Sequence, residues 1–72
     1  MTLHDILTTT DPSTVVTVAD YITGKIHVLC DTVDRVLAFC GTDDGLRVLK
    51  SRRVCSLSVG ECSEMIVLVC NQ

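Results

Sequence analysis

The start of the chain has the apolar spacing of a helix. Three apolar residues recur at intervals of three and four: Leu3, Ile6 and Leu7. This spacing places them on one face of a helix. Thr2 is a candidate N-terminal cap, with Asp5 placed near the first amides, and Pro12 disfavours a helical conformation at Asp11. The pattern predicts a short amphipathic helix that ends at Asp11-Pro12.

Two segments dense in β-branched and other apolar residues follow, at positions 14–19 and 26–30. This composition is typical of strands. Residues 20–25 between them supply turn chemistry, and Gly24 accepts the positive φ that many turns require. Together these features predict a β-hairpin.

The clearest helical pattern lies at residues 31–41. Four side chains keep the i, i+3, i+4, i+7 spacing of one helix face: Val33, Val36, Leu37 and Cys40. Asp31 or Thr32 is placed to cap the start, and Gly41 is placed to close the end. We therefore expect one stripe of this helix to face a core.

The rest of the pattern predicts a polar turn, a short extended piece and a closing hairpin. The turn covers residues 42–45, and the extended piece covers residues 46–50. The hairpin strands are predicted at residues 53–59 and 64–70, joined by a tight turn at residues 60–63.

The predicted order α-β-β-α-β-β indicates one α+β domain over residues 1–72. We expect two layers, with a mostly antiparallel sheet and one or two short helices on one face. A domain of this size buries only about 60% of the surface that its unfolded chain exposes. Yet 47% of the residues are apolar and the mean hydropathy is +0.44. We therefore expect an exposed apolar patch, which usually marks a self-association or partner surface.

The charge and the apolar runs exclude several classes of protein. The formal net charge is −3 and the pI is near 5.0, which argues against nonspecific binding to nucleic acid. The longest apolar run covers residues 65–70, far short of the roughly 20 residues of a spanning helix. The N-terminal segment lacks the basic start of a signal peptide. These observations predict a cytoplasmic protein that does not span or enter a membrane.

The chain contains five cysteines, and no two have the CxxC spacing of zinc or redox motifs. The odd number disfavours a secreted disulfide scaffold, so we interpret most of them as small apolar side chains in a reducing cytosol. Cys55, Leu57 and Val59 are predicted to alternate on one strand face. Cys62, in the predicted turn, is expected to carry an exposed thiol. The alternative is a thiol or metal-binding role for Cys55, Cys62 and Cys70.

Residues 47–53 carry four of the six basic side chains: Arg47, Lys50, Arg52 and Arg53. Such residues commonly protect an exposed sheet edge from unwanted pairing, and we favour that interpretation. The alternative is contact with a phosphate backbone or an acidic protein surface. Asp43 and Asp44 lie just before this stretch and are interpreted as turn residues. All six are candidate partner-binding residues.

No catalytic motif is recognisable. Phosphate-binding glycine patterns and a nucleophile elbow are absent from the sequence, and the carboxylates are dispersed along it. His4 and His27 are interpreted as exposed or packing residues. We therefore predict a protein that is not an enzyme, with no catalytic, cofactor-binding or metal-ligating residues.

Four segments follow one another along the chain: TLHDIL, TVVTVADYITGKIHV, DTVDRVLAFC and RRVCSLSVGECSEMIVLV. This succession resembles a loose group of small proteins encoded by phages and mobile elements of Firmicutes. Some small acidic phage proteins of similar size inhibit bacterial defence systems, including CRISPR systems. The resemblance implies a candidate role as such an inhibitor, in the cytosol of a bacterial host.

Three hypotheses of different classes follow. The leading one is a non-enzymatic interaction module that binds another protein, or a second copy of itself as a homodimer, through a sheet face or edge. Its specific form is a phage-type inhibitor of a defence or nucleic-acid-handling enzyme. The second is a nucleic-acid-binding module that uses residues 47–53. The third is the thiol or metal-binding protein.

Overall fold

Three helices and four strands make up the computed structural model, which describes residues 1–42 and 44–70. Their bounds, in chain order, are α1 (Leu3–Thr9), β1 (Val15–Asp20), β2 (Ile26–Thr32), α2 (Val33–Cys40), α3 (Asp44–Leu49), β3 (Val54–Val59) and β4 (Met65–Val69). The predicted α+β class is confirmed, and the predicted order differs from the observed one by a single additional helix.

A reciprocal cap begins α1. The Thr2 hydroxyl accepts a hydrogen bond from the Asp5 amide at 3.3 Å, and the Asp5 carboxylate accepts one from the Thr2 amide at 3.0 Å. These bonds satisfy amides that have no partner within the helix. The apolar face of α1 is buried through the predicted residues Leu3, Ile6 and Leu7.

The second helix follows β2 without a loop. The Thr32 hydroxyl caps its start by accepting from the Arg35 amide at 3.4 Å. Gly41 closes its end as predicted, in a right-handed rather than a left-handed conformation, with φ −83°. The predicted stripe faces the core through Val33, Val36 and Cys40, with Leu37 packed beside them.

The prediction of an extended piece at residues 46–50 is wrong, because Asp44–Leu49 forms the helix α3. Leu49 is buried in the core, and Asp44 pairs with Arg47 at 3.5 Å across one helical turn. An acidic residue in the first turn and burial of an apolar side chain outweigh the poor helix propensity of Gly45 and Val48. Asp44 and Gly45, which were predicted to lie in the turn, therefore belong to α3.

The four strands form one sheet in the order β2-β1-β4-β3. Each sequential hairpin is antiparallel, as predicted, and the two hairpins join through a parallel pairing of β1 with β4. Both hairpins therefore pair within one chain. In the β1–β2 turn, Gly24 has φ +72°, as predicted, and its amide donates to the Asp20 carbonyl at 3.0 Å.

The core lies between one face of the sheet and all three helices. Its sheet side consists of Val16, Val18, Val28, Val67 and Val69. Its helix side contains buried residues from α1, α2 and α3, including Leu49. The sheet therefore has one face covered by helices, as the two-layer prediction requires, and a second face that no described helix covers.

Candidate functional site

One side of the sheet is not covered by any described helix and is available to a partner. Residues in register share a face, and Val16–Met65 and Val18–Val67 face the helices. The alternate residues therefore lie on the other side. We call this surface the open face: Val15, Thr17 and Ala19 of β1, Ile26 of β2, Ser56 and Ser58 of β3, and Ile66 and Leu68 of β4.

No residue of the open face carries a charge, and five of the eight are aliphatic. Ile26 is 53% exposed, whereas Ile66 and Leu68 in the central strand β4 are half-buried by their neighbours. Antiparallel sheets often leave one face to solvent, and that face is then usually polar. An uncharged face with aliphatic side chains along its central strand matches the exposed apolar patch expected from the composition.

The strand β3 forms one edge of the sheet and contains no charged residue. Leu57 pairs with Val67 and Val59 pairs with Met65, so both lie on the helix side of the sheet. They nevertheless remain 51% and 75% exposed, because the helices do not reach this edge. The predicted alternation of Leu57 and Val59 is confirmed, but an irregularity between Val54 and Ser56 removes Cys55 from it.

Cys55 and Cys70 form a disulfide, with Cα atoms 5.8 Å apart. The prediction of unpaired thiols is therefore wrong for these two residues. The Cys70 amide donates to the Arg53 carbonyl at 2.8 Å, which places Cys70 beside the bulged Cys55. The available sequence signal was their position on either side of the predicted turn at residues 60–63, with Cys55 five positions before it and Cys70 seven positions after it.

The other three cysteines do not take part in a disulfide. Cys40 is buried in the core as predicted, and Cys62 is exposed in the β3–β4 turn as predicted. Cys30 is also exposed, at φ +49°, and its sulfur lies 3.6 Å from the Thr17 hydroxyl at the border of the open face. The metal hypothesis loses two of its three ligands to the disulfide. Within residues 1–42 and 44–70, no group of three potential metal ligands occurs.

Asp20 is the one buried charged residue in the described part of the chain, at 6% exposure. His27 Nε2 lies 3.0 Å from its Oδ1, the Thr23 hydroxyl donates to Oδ2 at 3.3 Å, and Arg52 Nη1 lies 3.8 Å from Oδ1. The hydrogen bond from His27 is the main cause that lowers the pKa of Asp20, and partial burial opposes it. Sequence reasoning missed this cluster, which a β-bulge at His27 creates.

The geometry of this cluster suits a structural role. A histidine held by a carboxylate can activate a neighbouring hydroxyl group as a nucleophile. Here the nearby hydroxyl of Thr23 donates its hydrogen bond to the Asp20 carboxylate and not to the His27 imidazole. Asp20 and His27 belong to the first hairpin, and Arg52 belongs to the segment before β3. The buried carboxylate therefore ties the two halves of the chain together.

The predicted basic edge is wrong, because residues 47–53 form the end of α3 and the turn that precedes β3. Arg47 contacts Asp44 and Arg52 contacts Asp20, so two of the four cations have a carboxylate nearby. This pairing weakens the nucleic-acid hypothesis, which needs a concentrated basic surface.

Three of the predicted partner-binding residues, Asp44, Arg47 and Lys50, lie on or next to α3, and none of these three lies on the open face. Asp44 and Arg47 are exposed on α3, which packs on the opposite side of the sheet. Lys50 is half-buried and its carbonyl accepts from the His4 amide at 2.9 Å. Asp43 lies outside the described residues. A role of these residues in binding stays a prediction.

The described residues contain no helix long and apolar enough to cross a membrane. Comparisons of the chain with models of protein families, with curated proteins and with solved structures found no match.

Proposed function

We propose that this chain is a non-enzymatic protein-interaction module and that it binds another protein through the open face. The observation that carries this proposal is that all the described helices lie on one side of the sheet. A second layer would normally cover aliphatic residues such as Ile66 and Leu68. A partner protein would supply that layer and remove the exposed apolar area from water.

The charges around the open face favour a particular kind of partner. The face itself is uncharged, while Glu61 and Glu64 lie in the adjoining β3–β4 turn. The net charge of the chain is −3. A matching partner surface therefore has an apolar centre and a rim of lysine and arginine, because opposite charges at a rim accelerate association and aid selectivity.

The narrower form of the proposal is an inhibitor of a bacterial defence or nucleic-acid-handling enzyme. Such enzymes carry basic surfaces for nucleic acid, which the acidic rim would match. The resemblance to small phage and mobile-element proteins supports this form, and its site of action would be the cytosol of a bacterial host. Disulfides are rare in a reducing cytosol, so the Cys55–Cys70 bond would be the redox-sensitive part of the fold there.

Photo-crosslinking tests the broader proposal. A photoreactive amino acid replaces Leu68 on the open face, and in a matched variant it replaces the exposed Val48 on α3. Both variants are irradiated in a bacterial lysate, and each crosslinked protein is identified, purified and titrated against the unmodified chain. We expect a protein that crosslinks at position 68 only and then binds the purified chain. Equal crosslinking at both positions, or no binding by the purified protein, would overturn the proposal.

A further inference from the structure

We infer that the Cys55–Cys70 disulfide holds β3 one residue out of regular register with β4, and that its reduction lets β3 slip by one residue. The slip moves Leu57 and Val59 from the helix side of the sheet to the open face. This redox-sensitive change takes place within one chain, and it does not depend on the proposed partner of the open face.

The disulfide and the irregularity in β3 depend on each other. Between the paired residues Val54 and Ser56, Cys55 is one extra residue in the strand. In regular pairing from Val54 onward, Cys55 would face Leu68 and lie diagonally from Cys70. Diagonal neighbours have Cα atoms about 7–8 Å apart, whereas disulfides usually join Cα atoms no more than about 6.8 Å apart. The observed separation of 5.8 Å therefore needs the extra residue.

The start of β3 is held on both sides, so the slip is confined to the residues that follow. The Arg53 carbonyl accepts from the Cys70 amide at 2.8 Å, and the Val54 amide donates outward to the Met1 carbonyl at 2.9 Å. Thr2 pairs with Arg53 on the same outer side. These contacts keep the start of the strand in place while residues 55–59 change register.

Burial specifies the present register of β3 only weakly. On the helix side, Leu57 is 51% exposed and Val59 is 75% exposed. A register is weakly specified where neither face of a strand is buried, and a slip of one residue moves every side chain to the opposite face. After the slip, Leu57 faces Ile66 and lies beside Leu68, which are both half-buried on the open face. Leu57 thus exchanges a largely exposed position for contact with two aliphatic side chains.

The backbone of β4 can bond to β3 in either register. The Gly60 amide donates to the Glu64 carbonyl at 2.8 Å, and hydrogen-bonded pairs alternate along antiparallel strands. The two serine amides of β3 therefore bond to β4, and the amides of Leu57 and Val59 point outward. After the slip these roles are exchanged, because the same groups of β4 then face Leu57 and Val59. The hairpin loop lengthens by one residue, from residues 61–63 to residues 60–63, and both loop lengths are common.

A dithiol reductant supplies the electrons and protons for this change. Its thiolate attacks the sulfur of the exposed Cys55 and forms a mixed disulfide, while Cys70 leaves as a thiolate and takes up a proton. The second thiol of the reductant then closes a disulfide within the reductant and releases Cys55 as a thiol. The protein gains the two electrons and two protons that the dithiol loses. The oxidised form of the dithiol reverses the same steps and restores the bulge.

Amide hydrogen exchange, followed residue by residue by NMR, tests this inference. The background carries Cys30→Ser and Cys62→Ser, so that no exposed free thiol attacks the disulfide. In the oxidised chain we expect slow exchange at the two serine amides of β3 and fast exchange at Leu57 and Val59. After reduction by a dithiol the pattern should reverse, with exchange at Leu57 and Val59 slowed by about ten-fold or more.

Two variants without the disulfide separate the extra residue from the bond. Cys55→Ser combined with Cys70→Ser keeps the extra residue, so it should show the reversed pattern without a reductant. Deletion of Cys55 combined with Cys70→Ser removes the extra residue and leaves Ser56 opposite Leu68 in regular pairing. This variant should keep the exchange pattern of the oxidised chain, although it has no disulfide.

The exchange pattern decides the outcome. An unchanged pattern after reduction, or loss of protection at all four amides from Ser56 to Val59, would overturn the inference. A reduced chain that unfolds, with fast exchange throughout β1 and β4, would also overturn it. A reversed pattern in a chain that crosslinks equally at positions 68 and 48 would support the inference and overturn the proposed function.

Discussion

Asp20 and His27 face each other across the first hairpin, with the Asp20 carboxylate 3.0 Å from His27 Nε2. The pairing depends on the bulge in β2, which inserts His27 between the residues that pair with Val18 and Ala19. Arg52, from the segment before β3, lies 3.8 Å from the same carboxylate oxygen. One buried charge thus connects the two hairpins through side chains, in addition to the parallel pairing of their backbones.

The buried carboxylate predicts a loss of stability in acid. The hydrogen bond from His27 lowers the pKa of Asp20 in the folded chain, so the unfolded chain binds the proton first as the pH falls. The stabilisation is complete well above the ordinary aspartate pKa of 3.8, and it is lost over the acidic range in which the pH falls from there through the lowered pKa of the folded chain. Urea unfolding followed across this range should show a steeper fall for the wild type than for Asp20→Asn.

The control for this experiment is Asp44→Asn, which removes an exposed carboxylate on α3. Its unfolding midpoint should follow the wild-type pH profile. Parallel profiles for the wild type and Asp20→Asn would show that Asp20 has the same pKa in the folded and unfolded chains.

The disulfide predicts a large effect of reduction. Cys55 and Cys70 are separated by 15 positions, and a loop of that size corresponds to about 3 kcal/mol of stabilisation in the chain-entropy account. Cys55→Ser and treatment with a reductant should each lower the free energy of unfolding by roughly this amount. Cys62→Ser, which changes a free exposed thiol, should have little effect. Equal stability before and after reduction would contradict the pairing.

The helix layer predicts a strong dependence on α1. Leu7 is 1% exposed, and Leu7→Ala leaves a cavity between α1 and the sheet that should cost about 2–5 kcal/mol. Leu29→Ala removes the same atoms from a side chain that is 68% exposed, and its cost should be far smaller. Guanidinium unfolding measures both. Similar losses for the two variants would mean that α1 does not pack on the sheet.

The cap of α1 predicts a smaller effect. Thr2→Ala removes the hydroxyl that accepts from the Asp5 amide and should cost about 1 kcal/mol. Thr8→Ala is the matched control, because its hydroxyl donates to the His4 carbonyl, which the helix backbone already satisfies. A thermal midpoint for Thr2→Ala no lower than that of Thr8→Ala would contradict the cap.

Local features of the fold were predictable from the sequence. The spacing of Val33, Val36 and Cys40 predicts the buried stripe of α2, and Gly24 predicts the first turn, because both depend on residues a few positions apart. The helix α3 was not predictable in the same way. It has only six residues, Gly45 and Val48 are poor helix formers, and burial of Leu49 by the rest of the fold decides its conformation.

Features that depend on distant residues were the ones missed. The parallel pairing of β1 with β4 joins Val18 to Val67, and no local pattern encodes it. The Asp20–His27 pair requires a bulge, and the Cys55–Cys70 disulfide requires another irregularity in β3. A strand pattern of period two places every residue on a fixed face, so it cannot predict the positions at which one extra residue changes that face.

The central claim is that the open face binds a partner protein. The most direct test measures how tightly the protein identified by crosslinking at position 68 binds, after purification, to two charge variants of this chain. Leu68→Lys places a charge on the open face, and Val48→Lys places the same charge on α3. Calorimetric titration should show binding to Leu68→Lys weakened by about ten-fold or more, and binding to Val48→Lys unchanged. Unchanged binding to Leu68→Lys, or equal weakening by both variants, would contradict the assignment of the open face as the binding surface.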